Sequence, residues 1–163
     1  MYIEVTKLTP VSLAERACEF TTGSPVSIKN MYKMYKSEHS PVRTQMFCIA
    51  MYDIPTEASV HFVRHKFGLE HYVKTNRSDR GGDAEANRHS PVDHLIVCNA
   101  QALINMARKR LCYKASDSTR EIMETIVEEI RAVDEALAEA LVPDCKYRGK
   151  CHEFLPCIQR RSI

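Results

Sequence analysis

The sequence contains no apolar run approaching the ~20 residues that a membrane-spanning helix needs, so we expect no transmembrane segment. It also lacks a basic amino-terminal region followed by a long apolar stretch, which argues against a secretory signal. The net charge of +2 is too small to indicate nucleic-acid binding, and no helix-turn-helix pattern is recognisable. These absences favour a cytoplasmic protein that binds neither membranes nor nucleic acids.

No Ser/His/Asp or Cys/His arrangement typical of a nucleophilic enzyme stands out, so any catalysis requires another kind of site. The 163 residues are enough for one domain with its own core, and contents of 44% hydrophobic and 27% charged residues are ordinary for a globular protein. We expect this domain over residues 1–142 and a cysteine-rich tail over residues 143–163.

Hydrophobic periodicity predicts where the strands and helices lie. Strands are predicted over residues 2–8, 45–54 and 67–73. Helices are predicted over residues 11–20, 27–36, 56–66, 92–111 and 118–142. The helix over 92–111 is expected to begin at Ser90-Pro91, and the last helix to begin with a capping box from Ser118 to Glu121. The polar, Gly-rich residues 76–91 are expected to form a long loop, either a lid over a ligand or a flexible connector.

Residues 61–80 combine many hydrogen-bond donors with few acids. The donors form two groups: Arg64, His65 and Lys66, then Lys74, Thr75, Asn76, Arg77 and Arg80. Glu70 and Asp79 are the acids of the stretch. A solvated charged turn is the simplest explanation, and cations are in any case favoured at the end of a helix. A phosphorylated ligand is the functional alternative, because it needs such a density of donors.

Two segments resemble the signatures of flavin-dependent thymidylate synthases. Arg64-His65-Lys66, followed by Thr75-Asn76-Arg77-Ser78, is similar to the family's Arg-His-Arg…Ser-x-Arg-Tyr signature. Residues 99–111 resemble its Asn-Ala-Arg-x-Leu…Leu-Arg signature, with Gln101 in place of an arginine. A shorter segment, His39-Ser40-Pro41, also fits the family, although Arg43 then replaces an acid and Thr44 a histidine.

The resemblance implies an α+β fold in which an antiparallel sheet packs with long helices, and a homotetramer whose active sites are assembled from several subunits. It implies that the protein binds flavin adenine dinucleotide (FAD), uses NADPH, and transfers a one-carbon unit from methylenetetrahydrofolate to deoxyuridine monophosphate (dUMP). The alternatives are a different pyrimidine nucleotide, hydroxymethyl transfer, or a non-catalytic, metal-stapled nucleotide-binding protein.

The resemblance also implies roles for individual residues. The flavin would be held by Arg64, His65 and Lys66, supported by His39, Ser40, Asn99 and Asn105. The nucleotide would be held by Thr75, Asn76, Arg77 and Arg110, with His61 where the family often has a glutamine. Arg77 or Arg110 would stabilise negative charge that develops on the pyrimidine.

Seven cysteines without a secretory signal indicate reduced thiols or metal ligands rather than disulfides. Three of them, together with His152, lie in the short tail. A set of four thiolates would suit zinc or an iron–sulfur cluster, with His152 as an alternative ligand. The predicted ligands are Cys112, Cys145, Cys151 and Cys157. A tail of free thiols is the alternative.

Overall fold

Four strands form one antiparallel sheet in the computed structural model, which describes residues 1–157. They are β1 (Tyr2–Lys7), β2 (Met46–Pro55), β3 (Leu69–Val73) and β4 (Pro91–Asn99). The order across the sheet is β1-β2-β4-β3, so β2 and β4 are central and β1 and β3 are the edges. The expected antiparallel sheet is confirmed, and β1, β2 and β3 lie where periodicity predicted them.

The helices follow the strands in chain order. They are α1 (Val11–Thr22), α2 (Met31–Lys36), α3 (Thr56–Phe62), α4 (Ala100–Arg110), α5 (Asp117–Val133), α6 (Glu135–Ala140) and α7 (Asp144–Tyr147), with short 3-10 turns over Ser40–Thr44 and Ser78–Arg80. The α+β class is therefore confirmed. No helix within residues 1–157 has both the length and the apolarity needed to cross a membrane.

The segment 92–111 is not one helix, and this prediction was wrong. Its first half is the central strand β4, in which Ile96 and Cys98 face the core and alternate with partly exposed residues, the period of two that a strand requires. Both neighbouring strands satisfy the backbone of β4 by pairing. The helix α4 begins only after Asn99, whose side-chain oxygen accepts a hydrogen bond from Ala102 N at 2.9 Å.

The predicted helix over 118–142 is divided at Asp134, which ends α5 and caps α6. Asp134 is only 9% exposed. One carboxylate oxygen accepts hydrogen bonds from Lys7 Nζ at 2.7 Å and from the hydroxyl of Tyr35 at 2.8 Å. The other accepts from Leu137 N at 3.0 Å and so caps α6. The break exists because these partners, distant in sequence, draw the carboxylate into the interior.

Three helix starts and ends differ from the predictions. Helix α5 begins after Ser116 rather than at the capping box expected from Ser118. Helix α2 begins only after Asn30, whose side chain accepts a hydrogen bond from Lys33 N at 2.9 Å. Helix α3 ends at Phe62, so the Arg64-His65-Lys66 segment lies in the turn between α3 and β3. A turn exposes more backbone to a ligand than a helix does.

The core lies between the inner face of the sheet and the helices, with α5 packed against β1 and β2 and α3 packed against β2 and β4. Its largest fully buried side chains are Tyr35, Phe47, Phe62, Ile49, Met51, Ile54, Ile96, Leu103, Met106, Ile122, Met123 and Ile126. The proposed division between residues 142 and 143 stays a prediction. Beyond it, the short helix α7 packs back against α4.

Candidate functional site

The end of α4 is joined to the turn after α3 by the side chain of Arg110. Its Nε donates to the imidazole Nε2 of His65 at 2.9 Å, and its Nη2 donates to the backbone carbonyl of His61 at 2.7 Å. Arg110 is half-buried. Of its five N–H donors, these two bonds use two, which leaves three without an acceptor among residues 1–157. The free donors are available to a ligand.

The positive charge at this place is not neutralised. Within the part of the chain that the structure describes, Arg64, Lys66 and Arg110 form no ion pair with an acid. Burial, and then the nearby Arg64, hold the pKa of Arg110 below its ordinary value. Two guanidinium groups that repel one another without an intervening carboxylate favour the binding of an anion. We call Arg64, Lys66 and Arg110, with His61 and His65, the arginine cluster.

The two histidines of the arginine cluster are neutral near neutral pH. Burial, followed by the effects of Arg110 and His71, lowers the pKa of His65 to about 4. Burial also lowers the pKa of His61, with Arg110 and Arg64 adding to the effect. The Nδ1 atom of His61 is buried and has no hydrogen-bond partner among residues 1–157. Such an atom needs a partner, and a bound ligand can supply it.

Residues of the loop after β3 line a separate cavity of about 320 Å³. Thr75 and Asn76 contribute to its wall, as do three aspartates, Asp53, Asp83 and Asp93. Lys74 also lines it, but its Nζ is paired with Asp93 at 3.2 Å. The acidic lining does not suit a phosphate group. It suits the neutral, hydrogen-bonding part of a ligand, such as a sugar or a base.

The backbone of this loop is closely packed at one point. Gly82 lies against the backbone of Asn76, and a side chain at position 82 would collide with it. The turn over Ser78–Arg80 is therefore held next to the cavity rather than projecting freely. Whether this loop acts as a lid or as a connector stays a prediction.

Arg77 does not belong to the arginine cluster in this structure. Its guanidinium forms two hydrogen bonds with Asp79, at 2.9 and 2.6 Å, and both side chains are exposed. Its charge is therefore already paired. A role for Arg77 on a nucleotide would require it to leave Asp79, so of the two predicted charge-stabilising residues Arg110 is the better placed.

Asn99 holds the start of α4 and the turn before β3 in place. Besides capping α4, it lies against Gly68, where a Cβ would stand 2.5 Å from the Asn99 Nδ2 atom. Its backbone N–H donates to the Gly68 carbonyl at 3.0 Å. Gly68 has φ 75°, in the left-handed region that glycine adopts most readily. Asn99 thus fixes the end of the turn that carries Arg64 and His65, and its predicted contact with the flavin stays a prediction.

A second polar cluster, which the sequence did not reveal, is centred on Glu38. Its carboxylate accepts hydrogen bonds from Gln101 Nε2 at 2.6 Å and from the Tyr147 hydroxyl at 2.7 Å, and it forms an ion pair with Arg108. The guanidinium of Arg108 also lies 3.7 Å from the centre of the Tyr147 ring. Burial raises the pKa of Glu38, but these three donors outweigh it and leave the pKa below its ordinary value.

Helix α4 thus contributes to both clusters: Arg110, at its end, belongs to the arginine cluster, whereas Gln101 and Arg108 contact Glu38. Asn105, predicted to support the flavin, is exposed beside Gln101 and Arg108, at 3.3 Å from the Gln101 amide nitrogen. His39 and Ser40 are exposed and follow Glu38 directly. The predicted flavin residues are therefore divided between the arginine cluster and the Glu38 cluster. Only a ligand that extends over both clusters, or a neighbouring subunit, would use them together.

The predicted metal ligands are not brought together. Among residues 1–157, no group of three or more His, Cys, Asp or Glu side chains is arranged to hold a metal ion. Cys112, Cys145, Cys151 and Cys157 are all described, partly buried and free. The metal site therefore gains no support from the described residues, and both the metal site and the alternative of free thiols stay predictions.

Comparison with known proteins gives a clear result for the fold. No protein-family model matches the chain, and no curated protein matches it by sequence. A crystal structure of thymidylate synthase X from Helicobacter pylori with FAD and dUMP matches with a TM-score of 0.70 and 14% identity, over 86% of this chain and 99% of that chain. A second structure of the Helicobacter pylori flavin-dependent enzyme, complexed with FAD and dUMP, gives 0.70 and 13%, over 87% and 100%.

A third similar structure is that of an enzyme with a different named activity. The UMP/dUMP methylase PolB from Streptomyces cacaoi, bound with 5-Br dUMP, matches with a TM-score of 0.60 and 11% identity, over 85% of this chain and 94% of that chain. All three matches cover nearly the whole of the compared structures, so the likeness extends well beyond a single motif. The chain therefore has the α+β fold of the flavin-dependent thymidylate synthases.

Proposed function

We propose that this protein is a flavoenzyme that binds FAD and modifies the pyrimidine of a uridine-type monophosphate such as dUMP. The observation that carries the proposal is the agreement of two independent features. The fold is that of enzymes whose structures hold FAD and dUMP or 5-Br dUMP. At the point where the Arg-His-Lys signature lies, the chain has an unneutralised cationic site suited to phosphorylated ligands.

The residues present fit FAD in their chemistry. Arg64 and Lys66 are exposed, lie on either side of His65 in the turn, and form no ion pair with an acid among residues 1–157. These are the donors that the diphosphate of a dinucleotide requires. The flavin, when bound, supplies the redox and carrier chemistry, so the protein has to bind and orient its ligands rather than provide a nucleophile.

Arg110 is the residue that we assign to the nucleotide. Its position is fixed by two hydrogen bonds to the turn, and its remaining donors are free for the phosphate or for a pyrimidine oxygen. A fixed guanidinium stabilises negative charge as it develops, without reorganisation at the moment of reaction. His61, with its unpartnered Nδ1, would add a neutral hydrogen bond to the same ligand.

The finer assignment is transfer of a one-carbon unit from methylenetetrahydrofolate, with NADPH as reductant, by a homotetramer. This is the reaction implied by the two signatures. A second candidate is favoured by the likeness to a UMP/dUMP methylase: the nucleotide would then be UMP, or both UMP and dUMP. Hydroxymethyl transfer is a further variant of the same chemistry.

The test begins with an absorption spectrum of the purified protein before and after addition of FAD. We expect a flavin spectrum that changes when dUMP is added, and product formation when methylenetetrahydrofolate and NADPH are also present. Arg64→Ala should weaken FAD binding, whereas Lys33→Ala, an exposed change of equal charge on α2, should not.

Titration with UMP in place of dUMP decides between the two nucleotide candidates. A colourless protein that takes up neither FAD nor dUMP would contradict the proposed function. A colourless protein that contains stoichiometric zinc would favour the non-catalytic, metal-stapled alternative.

A further inference from the structure

A buried chain of hydrogen bonds leads from α3 through two strands to the arginine cluster. The Ser59 hydroxyl lies 3.0 Å from Nδ1 of His94, Nε2 of His94 lies 3.0 Å from Nδ1 of His71, and Nε2 of His71 lies 2.8 Å from the backbone oxygen of His65. His94 is 1% exposed and Ser59 is 3% exposed. Such polar groups are costly in a core unless each has a partner, and here each has one.

The carbonyl at the end of the chain fixes the direction of the last bond. A carbonyl oxygen can only accept, so Nε2 of His71 carries the proton. The other two bonds share one direction along the chain: either Ser59 donates to His94 and His94 to His71, or His71 donates to His94 and His94 to Ser59. In either direction, every ring nitrogen of the two histidines has a hydrogen-bond partner. Burial, with His71 adding to the effect, lowers the pKa of His94 to about 4, in agreement with a neutral ring.

The hydrogen-bond chain ends on the residue that orients Arg110. The His65 backbone accepts from His71, while the His65 imidazole accepts from Arg110 Nε at 2.9 Å. The backbone carbonyl of His61, in the last turn of α3, accepts a hydrogen bond from Arg110 Nη2 at 2.7 Å. The backbone and the side chain of His65 are therefore held by separate partners, and the position of the guanidinium depends on both.

We propose that His94 and His71 are positioning residues, which hold the His65 carbonyl and thereby the imidazole that orients Arg110. Ser59 completes the hydrogen-bond chain and is not a nucleophile, because it is buried between α3 and the sheet and its partner ring leads to a carbonyl rather than to a carboxylate. The part of the inference that concerns nucleotide binding rests on the proposed function. The first readout needs no nucleotide and therefore does not rest on it.

The first readout is the Nε–H resonance of Arg110 in a ¹H–¹⁵N spectrum of the protein without nucleotide, identified by its loss in Arg110→Lys. His94→Leu removes both hydrogen bonds of the ring. We expect it to shift and broaden the Arg110 resonance, because His71 loses its partner and holds the His65 backbone, and with it the imidazole, less firmly. His94→Gln, whose amide can still donate to His71, should restore the resonance in part. A merely structural role of the buried ring would not produce this restoration.

The matched control is Ile3→Val, a buried change on β1, at the edge of the sheet opposite to β3. This variant should leave the chemical shift and the line width of the Arg110 Nε–H resonance unchanged. If His94→Leu does not fold, His71→Leu on the edge strand β3 tests the same relationship, because His71 is only partly buried and donates directly to the His65 carbonyl. An unchanged resonance in the variant that folds would overturn the inference.

The second readout is dUMP affinity in the same variants. We expect the dissociation constant to rise about tenfold in His94→Leu, the loss typical of one misplaced charged hydrogen bond, and not to rise in Ile3→Val. A resonance that changes while dUMP affinity stays constant would overturn the inference, since the hydrogen-bond chain would then position nothing that the ligand uses. Failure of the wild-type protein to bind dUMP would contradict the proposed function instead, and the spectrum alone would then decide the inference.

Discussion

Arg110 Nε lies 2.9 Å from Nε2 of His65, so the last residue of α4 is tied to the turn that follows α3. This contact joins the two segments that resemble family signatures through residues that are 45 positions apart in the chain. Because Arg64 lies close enough to lower the pKa of Arg110, the contact also concentrates positive charge. The joined segments are the place where we expect phosphorylated ligands to bind.

Arg110→Ala should abolish or greatly weaken dUMP binding while α4 remains folded. Alanine is the better helix former, so the helix itself gains slightly from the change. The loss comes from the two hydrogen bonds to the turn and from the guanidinium charge. Calorimetric titration with dUMP and a circular dichroism spectrum measure the two effects. Lys109→Ala removes the same charge from the exposed neighbouring position and should bind dUMP normally. Equal affinities in the two variants would rule out the assignment.

The stability of the protein should fall as the pH is lowered from about 6.5 to 4. The pKa of His65 and the pKa of His94 are each about 4 in the folded protein, chiefly because of burial, against 6.5 ordinarily. Between these values the unfolded chain binds more protons, so protonation favours unfolding. Stability linked to each ring is complete above pH 6.5 and is lost as the pH falls through 4, at most on the order of 3 kcal/mol per ring.

Urea denaturation at several pH values, for the wild type and for His94→Gln, measures this linkage. The variant lacks one titrating ring, so the free energy of unfolding should depend less steeply on pH. The destabilisation that it causes near neutral pH should shrink towards pH 4. Identical pH dependence in the two proteins would show that His94 is not held neutral by the fold.

Asp134→Ala should destabilise the protein by about 3–5 kcal/mol, because it leaves Lys7 and the buried Tyr35 hydroxyl without their partner and uncaps α6. Burial and the adjacent carboxylate raise the pKa of Tyr35, so the hydroxyl stays protonated and donates. Asp134→Asn keeps the acceptor and the cap, and should cost less. Asp117→Ala, at a side chain that is 92% exposed, should cost less than about 1 kcal/mol. Equal midpoints for Asp134→Ala and Asp117→Ala in urea would contradict this account.

Tyr147→Ala should detach α7 and the residues that follow it from Glu38 and Arg108. The hydroxyl donates to Glu38 at 2.7 Å, and the ring lies 3.7 Å from the Arg108 guanidinium. Each contact contributes on the order of 1 kcal/mol, which corresponds to roughly a fivefold larger open population. Trypsin cleavage at Arg148 and Lys150 should therefore accelerate. Tyr113→Ala removes a different exposed ring, 5.2 Å from Arg120, and serves as the control. Equal cleavage rates in the two variants would show that Tyr147 does not anchor the tail.

Some elements could be predicted because local pattern and tertiary environment agree. The edge and central strands β1 and β2 and the amphipathic helix α5 are examples. In β2, buried residues such as Phe47, Ile49 and Met51 alternate with partly exposed ones. A continuous run of apolar residues in the sequence predicts this strand. In α5, Ile122, Ile126 and Ile130 recur at helical spacing and are all buried.

Other elements could not be predicted because the deciding partner is distant. Residues 92–98 are apolar enough for a buried helix or a buried strand, and periodicity alone does not separate the two. Pairing with β2 and β3 makes the segment a strand. Glu38 has φ 52°, an unusual conformation for a non-glycine residue. The amino acids next to it in the sequence do not indicate that Gln101, Arg108 and Tyr147 contact its carboxylate.

The amino-acid sequence alone supplied the chemical groups: a segment rich in arginine and histidine, a second arginine-bearing segment near residue 110, and enough apolar residues for one core. How these groups combine was set by the folded structure. It paired Arg77 with Asp79, bonded Arg110 to His65 with donors left for a ligand, and linked His94 through His71 to the His65 backbone. The physical reason is that side-chain identity is local, whereas burial, charge pairing and hydrogen-bond direction depend on which distant residues the sheet and helices bring into contact.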